Sequence, residues 1–321
     1  MAYTPIHANL CSYTPLHGSA LESAIQPKAT KAKAKPVAEA VKGAASVELD
    51  SLRLILTALK PWIIRKRKGE HHMALTGLLI ESDGTTLRFS AANKEARLSA
   101  HVPAIGPKFS HLVDLDLVKK LLGKRKGAAS FKSVDGSLEL TVGSRTASLG
   151  DTFPAEAYPT VPTIGADGVM VDIASWDAVG GVLPAASGDE SRPILNGAFF
   201  DDDGSVAATD SYRLYVTEGV ASNVPKGGAL VPAERLGRLL KLADMSGGMG
   251  VGNNWAQFEG IHKRDASVTF TASLRLIHGE YVNYKGLIPS SFEHSLEVNA
   301  CLLYTSPSPR DQRGSRMPSS A

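Results

Sequence analysis

The chain has 321 residues and a formal charge of +3, a length that accommodates two or more ordinary domains. Its 43% hydrophobic content is that of a soluble globular protein; no apolar run approaches the roughly 18 residues of a membrane span, and the polar N-terminus lacks a secretory signal pattern. Cys11 and Cys301 are the only cysteines, which excludes a disulfide framework or a thiolate metal site and fits a reducing cytoplasm.

The positive charge belongs to the two ends. Residues 1–44 carry five Lys against two Glu and residues 301–321 three Arg against one Asp, leaving 27 basic and 29 acidic side chains in residues 45–300. A body so balanced can meet nucleic acid only by segregating its charge. Residues 1–44 include a Lys/Ala/Pro run with little to bury and are expected to form a disordered basic arm.

From residue 45 the periodicity predicts an α+β unit. Leu49, Leu52, Ile55, Leu56 and Leu59 recur at helical spacing, and Pro61 ends the run. A basic cluster, Arg65, Lys66, Arg67 and Lys68, follows. Strands are expected over Ala74–Ser82 and Thr86–Ser90 about an Asp83-Gly84 turn. Asp114 is placed to cap a helix over Leu115–Leu122 that stops at Gly123. Strands over Ala129–Lys132 and Ser137–Val142 join at Asp135-Gly136, and the Pro-rich FPAEAYPTVP closes the unit.

The order then recurs. A helix is expected over Ala174–Leu183, a hairpin over Ala198–Ala208 turning at Asp203-Gly204, and a strand over Arg213–Thr217. A helix over Ala233–Ala243 follows, then strands about Trp255 and over Val268–Ser273, then YVNYKGLIP. Direct echoes support a duplication. LRFSAANKEARL (87–98) aligns with VAATDSYRL (206–214), setting Asn93 on Thr209 and Arg97-Leu98 on Arg213-Leu214. VDLDLVKKLL (113–122) aligns with VPAERLGRLL (231–240). The domains expected are therefore 45–165 and 166–292, with 293–300 the start of a third. Residues 301–321 are Ser/Pro/Arg-rich without periodicity and resemble a translated adapter, so the natural chain is expected to continue beyond Ala300.

No carriers of catalysis emerge. The sequence has no GxSxG elbow, no GxxxxGK[ST] loop and no GxGxxG after a strand. Asp201-Asp202-Asp203 sits at a hairpin turn, where acidic residues are ordinary, and His71-His72 lack a spaced third ligand. GGMGVGNN and GAAS are read as flexible connections. Neither a metal nor another cofactor is expected.

RPILNG (192–197), AATDSYRLYV (207–216) and LIHGEYVNYKGLIP (276–289), in that order, resemble the bacterial DNA sliding clamp, the beta subunit of DNA polymerase III. The resemblance implies tandem repeats of the DNA clamp fold. It also implies a noncatalytic cytoplasmic processivity factor that closes head-to-tail as a homodimer around double-stranded DNA, independent of base sequence. Its implied partners are the polymerase catalytic subunit and the clamp loader, with polymerase activity belonging to the holoenzyme.

A sliding ring needs cations that attract phosphates without reading bases. The candidates are Lys119, Lys120, Lys124, Arg125 and Lys126 on or after one helix, Arg235, Arg238 and Lys241 on its duplicate, and Arg65 to Lys68. The resemblance further implies a pocket for short hydrophobic-aromatic peptides, formed by Leu195, Thr209, Ser211, Tyr212, Arg213, Leu214, Val282, Gly286, Leu287 and Ile288. Ser211 and Tyr212 stand where Gly-His is common in the family, Val282 where Pro is, and Gly286 where a basic residue is. The alternatives are a phage- or plasmid-type clamp-like interaction module that does not encircle DNA, and a nonfunctional fragment.

Overall fold

The computed structural model describes residues 43–64, 73–151, 153–160, 164, 168–289, 291 and 293–294. The basic cluster Arg65–Lys68, His71-His72, the N-terminal arm and residues 295–321 lie outside the described residues.

The first repeat runs β1 (Ala45–Glu48), α1 (Leu49–Leu59), β2 (Leu78–Ser82), β3 (Thr86–Ala92), β4 (Ala96–Pro103), β5 (Phe109–Val113), α2 (Leu115–Leu122), β6 (Ala128–Val134), β7 (Ser137–Val142) and β8 (Arg145–Leu149). The second runs β9 (Val169–Ile173), α3 (Trp176–Val182), β10 (Gly197–Phe200), β11 (Val206–Thr209), β12 (Leu214–Thr217), β13 (Ala221–Ser222), β14 (Ala229–Pro232), α4 (Ala233–Leu242), β15 (Ala243–Gly252), β16 (Trp255–His262) and β17 (Thr269–Arg275). Apart from the short β13, the element order is the same.

Local chemistry explains the helices. In α1, Leu49, Leu52, Ile55, Leu56 and Leu59 are wholly buried, each contributing about 2 kcal/mol by leaving water. The Asp114 carboxylate accepts from the Asp116 N–H at 2.8 Å and the Leu117 N–H at 3.3 Å, capping α2. Ser175 caps α3 through the Ala178 N–H, so this helix begins later than the apolar pattern predicts.

Three expectations are corrected. Ala74–Thr76 belong to a 3-10 turn, and the strand starts at Leu78. GAAS enters β6, and GGMG lies inside β15. Its glycines permit close packing: a Cβ on Gly248 would sit 1.9 Å from the Val171 carbonyl oxygen.

The third correction concerns the register of the duplication. Asn93 Oδ1 accepts from the Glu95 and Ala96 N–H groups, and Asp210 Oδ1 accepts from those of Tyr212 and Arg213. Ala92 pairs with Arg97, and Thr209 with Leu214. Asn93 therefore corresponds to Asp210, not Thr209, and Arg97 to Leu214, not Arg213. The shared Arg-Leu dipeptide is offset by one residue, which turns those side chains to opposite faces.

The sheets repeat as well. One four-stranded sheet has the order β1-β6-β7-β8, and another β12-β11-β10-β14. The remaining strands form a nine-stranded sheet, β13-β9-β15-β16-β17-β4-β3-β2-β5, in which the last strand of the second repeat pairs with the fourth strand of the first. This β17·β4 seam is antiparallel, from Thr269 opposite His101 to Leu274 opposite Ala96. Alternation along the seam buries Phe270, Ala272 and Leu274 with Ala96, Leu98 and Ala100. Beside it, Ser51 Oγ donates to Asp265 at 2.5 Å, and the Arg235 guanidinium lies 5.6 Å from the centre of the Trp62 ring. The seam strand β17 and its counterpart β8 both read Thr-Ala-Ser-Leu, at 271–274 and 146–149.

Candidate functional site

The sequence-predicted pocket residues lie at one outer face of the second repeat. A 3-10 turn, Pro193–Asn196, leads into β10, where a Cβ on Gly197 would come within 2.5 Å of Leu230 Cδ1 and displace that side chain. Leu214 packs in a cluster with Ile194, Phe199, Val216, Leu230 and Ile277. Tyr281 and Tyr284 complete it, the Tyr281 ring stacking on Phe199 at 4.8 Å between centroids.

The closing segment is pinned by ions. The Tyr284 hydroxyl donates to Asp201 Oδ2 at 2.7 Å, and Lys285 Nζ lies 2.7 Å from carboxylate oxygens of both Asp201 and Asp203. Burial alone would raise the Asp201 pKa, but donation from Lys285 and Tyr284 holds the carboxyl below its ordinary range. Lys285, the leading cause, also lowers Asp203, and the two carboxylates raise Lys285 in return. The acidic run at the turn thus serves as an anchor. Among the described residues, no group of three His, Cys, Asp or Glu side chains could hold a metal.

The remaining predicted residues fall into two groups. Thr209 is buried, and its hydroxyl donates to the Arg213 carbonyl at 2.6 Å. The Arg213 side chain turns to Asp210 at 2.8 Å, and donors from Tyr212 and Arg213 hold that carboxyl down at about 2. Ser211 takes φ +79°, a left-handed conformation that glycine adopts without cost, and its Oγ accepts from Arg192 at 3.2 Å. Tyr212 is 79% exposed, Leu287 71%, Ile288 47% and Val282 38%, and Gly286 is exposed beside them. These exposures place the four apolar side chains outside the core. Leu195 is only 7% exposed, and its neighbour Ile194 packs against the same buried cluster as Leu214.

Sequence reasoning missed Ile194, Phe199, Tyr281, Tyr284 and Asp201. The Tyr-x-x-Tyr spacing in the closing segment was the available signal.

Among the described residues, the cationic candidates lie on and after α2 and α4. Lys120, Lys124, Lys126, Arg238 and Lys241 are exposed, whereas Lys119, Arg125 and Arg235 are half-buried. Desolvation, with the nearby Lys60 charge, lowers the Lys119 pKa. Arg238 is bound to Glu234 at 2.6 Å, Arg125 donates to the Leu121 carbonyl, and Arg235 rests on Trp62. Among these candidates the exposed cations without a described ion pair are therefore Lys120, Lys124, Lys126 and Lys241. No described helix is long and apolar enough to cross a membrane.

This arrangement of sheets and helices is the sliding-clamp fold. The chain superposes on the Helicobacter pylori beta clamp bound to a DNA ligase peptide with a TM-score of 0.65 and 17% identity, covering 78% of this chain and 71% of that one. The Bacillus subtilis DNA polymerase sliding clamp gives 0.62 at 18% identity, over 77% of this chain and 68% of that one. The Thermotoga maritima DNA polymerase III beta subunit gives 0.59 at 19% identity, over 78% and 68%. No protein-family model and no curated protein matches the sequence.

Proposed function

We propose that the chain is a DNA sliding clamp, a noncatalytic processivity factor that tethers a replicative polymerase to duplex DNA. The β17·β4 seam carries this reading. Among the described residues, β8 and β12 end their sheets, and they are the counterparts of the two seam strands. A unit with a β17-type edge at one end and a β4-type edge at the other joins further repeats head to tail, the arrangement from which closed rings arise. A third repeat and a second copy would complete such a ring.

In this reading Lys119, Lys120, Lys124, Arg125, Arg235, Arg238 and Lys241 face the phosphates, with Arg65 to Lys68 adding to them. Such contacts give attraction without base readout. The Leu214 cluster and the exposed Tyr212, Val282, Leu287 and Ile288 take a short apolar peptide from the polymerase catalytic subunit or the clamp loader, an anchor-in-pocket mode. The bound ligase peptide of the Helicobacter clamp supports this assignment by analogy.

The test is topological. Protein assembled on a nicked circular duplex is filtered from free protein, and the circle is then cut once. Retention on the circle and release after cutting are expected. Retention on the open-ended linear duplex, or no retention on the circle, would refute encirclement and leave an interaction module.

A further inference from the structure

The first repeat carries its own version of the outer cluster. Leu79 pairs across strands with Leu112 as Phe199 does with Leu230. Leu75, Leu79, Ala92, Leu112 and Tyr158 pack together, with Phe153 from the closing segment. At the place of Leu214, this copy has Arg97. Beside it a cavity of about 480 Å³ opens at the junction of the repeats, lined by Leu79, Arg97, Tyr158 and residues of β16 and β17.

One polar group there lacks a hydrogen-bond partner, and a second, a cation, lacks a counter-ion among the described residues. The Tyr158 side chain is 5% exposed, and its hydroxyl finds no hydrogen-bond partner among the described residues. The Arg97 guanidinium lies over that ring, 5.4 Å from its centre. Its hydrogen bonds are long: 3.3 Å to Ser99 Oγ, 3.2 Å to Ser90 Oγ and 3.4 Å to the Pro159 carbonyl. No carboxylate among the described residues pairs with it; Glu81 is taken by Arg88 at 2.7 Å. Burial pushes the Arg97 pKa down, the direction expected of a cation without a counter-ion. A desolvated cation and an unmet donor at one cavity are costly unless something completes them.

We propose that this junction pocket is a carboxylate receptor, in which one oxyanion accepts from Tyr158 Oη–H and the Arg97 guanidinium. Glu81 with its partner Arg88, Glu156 and Glu259 also line the cavity. The carboxylates disfavour a phosphate dianion more than a monoanion. The source is a peptide, through either its terminal carboxylate or an Asp or Glu side chain. The inference rests on the duplicated cluster and not on ring closure.

The full chain is titrated calorimetrically with four probes: an acetylated tripeptide with a free terminal carboxylate, an acetylated and amidated tripeptide with one glutamate, its glutamine isostere, and inorganic phosphate. At least one carboxylate probe is expected to bind roughly tenfold more tightly than the glutamine peptide and phosphate. The stronger of the two identifies the source. Tyr158→Phe, which removes one oxygen and keeps the packing, should weaken that binding by roughly tenfold, and Arg97→Met by at least as much. Leu214→Ala should leave it unchanged, separating this site from the apolar pocket. Equal binding of glutamate and glutamine peptides, phosphate binding as tightly as carboxylate, no carboxylate binding at all, or an undiminished affinity in folded Tyr158→Phe would each overturn the proposal.

Discussion

The clusters of the two repeats share a scaffold, and the hairpin position that holds Leu214 in one holds Arg97 in the other. In the second repeat Leu214 joins Ile194, Phe199 and Tyr281 in an apolar floor; in the first, Arg97 lies over Tyr158 at the corresponding hairpin position. Tyr284 donates to Asp201 at 2.7 Å, whereas Tyr158 has no partner among the described residues. Duplication supplied the frame, and the exchange at this hairpin position puts a cation in the first repeat where the second has an apolar side chain.

The comparison can be broken first at Leu195 and Ile194. Leu195 is buried and Ile194 borders the Leu214 floor. Leu195→Ala should cost about 3 kcal/mol of stability through the cavity it leaves, while Ile194→Ala should weaken apolar-peptide binding roughly tenfold with a smaller stability loss. Chemical denaturation and calorimetric titration of both variants check this, and the reverse pattern would return Leu195 to the pocket.

The anchor gives the next effect. Asp201→Asn leaves Tyr284 without its carboxylate and Lys285 with Asp203 alone, and should destabilise the closing segment by about 2 kcal/mol, read as faster amide exchange over residues 281–288. The first repeat lacks this anchor, so residues 153–158 should exchange unchanged.

The pH dependence follows from the same groups. The Asp201 and Asp203 carboxyls are held low, so their contribution is present above the ordinary carboxyl pKa of about 4 and is lost as pH falls through their lower folded values. Lys285 is raised, so its contribution is present below about 10 and is lost as pH climbs through its higher folded value. Protection of residues 281–288 should therefore persist between about pH 5 and 10 and fail on both sides. Protection that increased on acidification to pH 3 would contradict the anchor.

The smallest effect belongs to Ser211. Relieving its positive φ with Ser211→Gly should raise stability by about 0.5 kcal/mol, measurable by denaturant midpoint; a clear loss would mean that the Arg192 contact matters more.

Local features were legible in the sequence. The α1 stripe from Leu49 to Leu59, the Asp114 cap and the Asp-Gly turns each act within a few residues, and the chain pattern reveals them. β15 was not, because its glycines serve a close strand approach at Val171 and read as a loop. Nor was the β17·β4 seam, whose partners lie about 170 residues apart and are chosen by tertiary packing. At the site, Thr209 to Leu214 stood out by resemblance, but the facing of each side chain depends on hairpin register. The identical Arg-Leu dipeptides therefore misaligned Arg97. Tyr281 and Tyr284 were visible as residues and became part of the site only when the closing segment folded onto Phe199 and Asp201.

The most direct test of this account converts one face into the other. Wild-type chain and Leu214→Arg are titrated calorimetrically with an acetylated, amidated peptide bearing leucine and phenylalanine anchors. Wild type should bind, and the variant should lose roughly a hundredfold in affinity because a cation replaces the apolar floor. Equal affinity in a folded Leu214→Arg protein would contradict the assignment of the second-repeat cluster as the partner pocket.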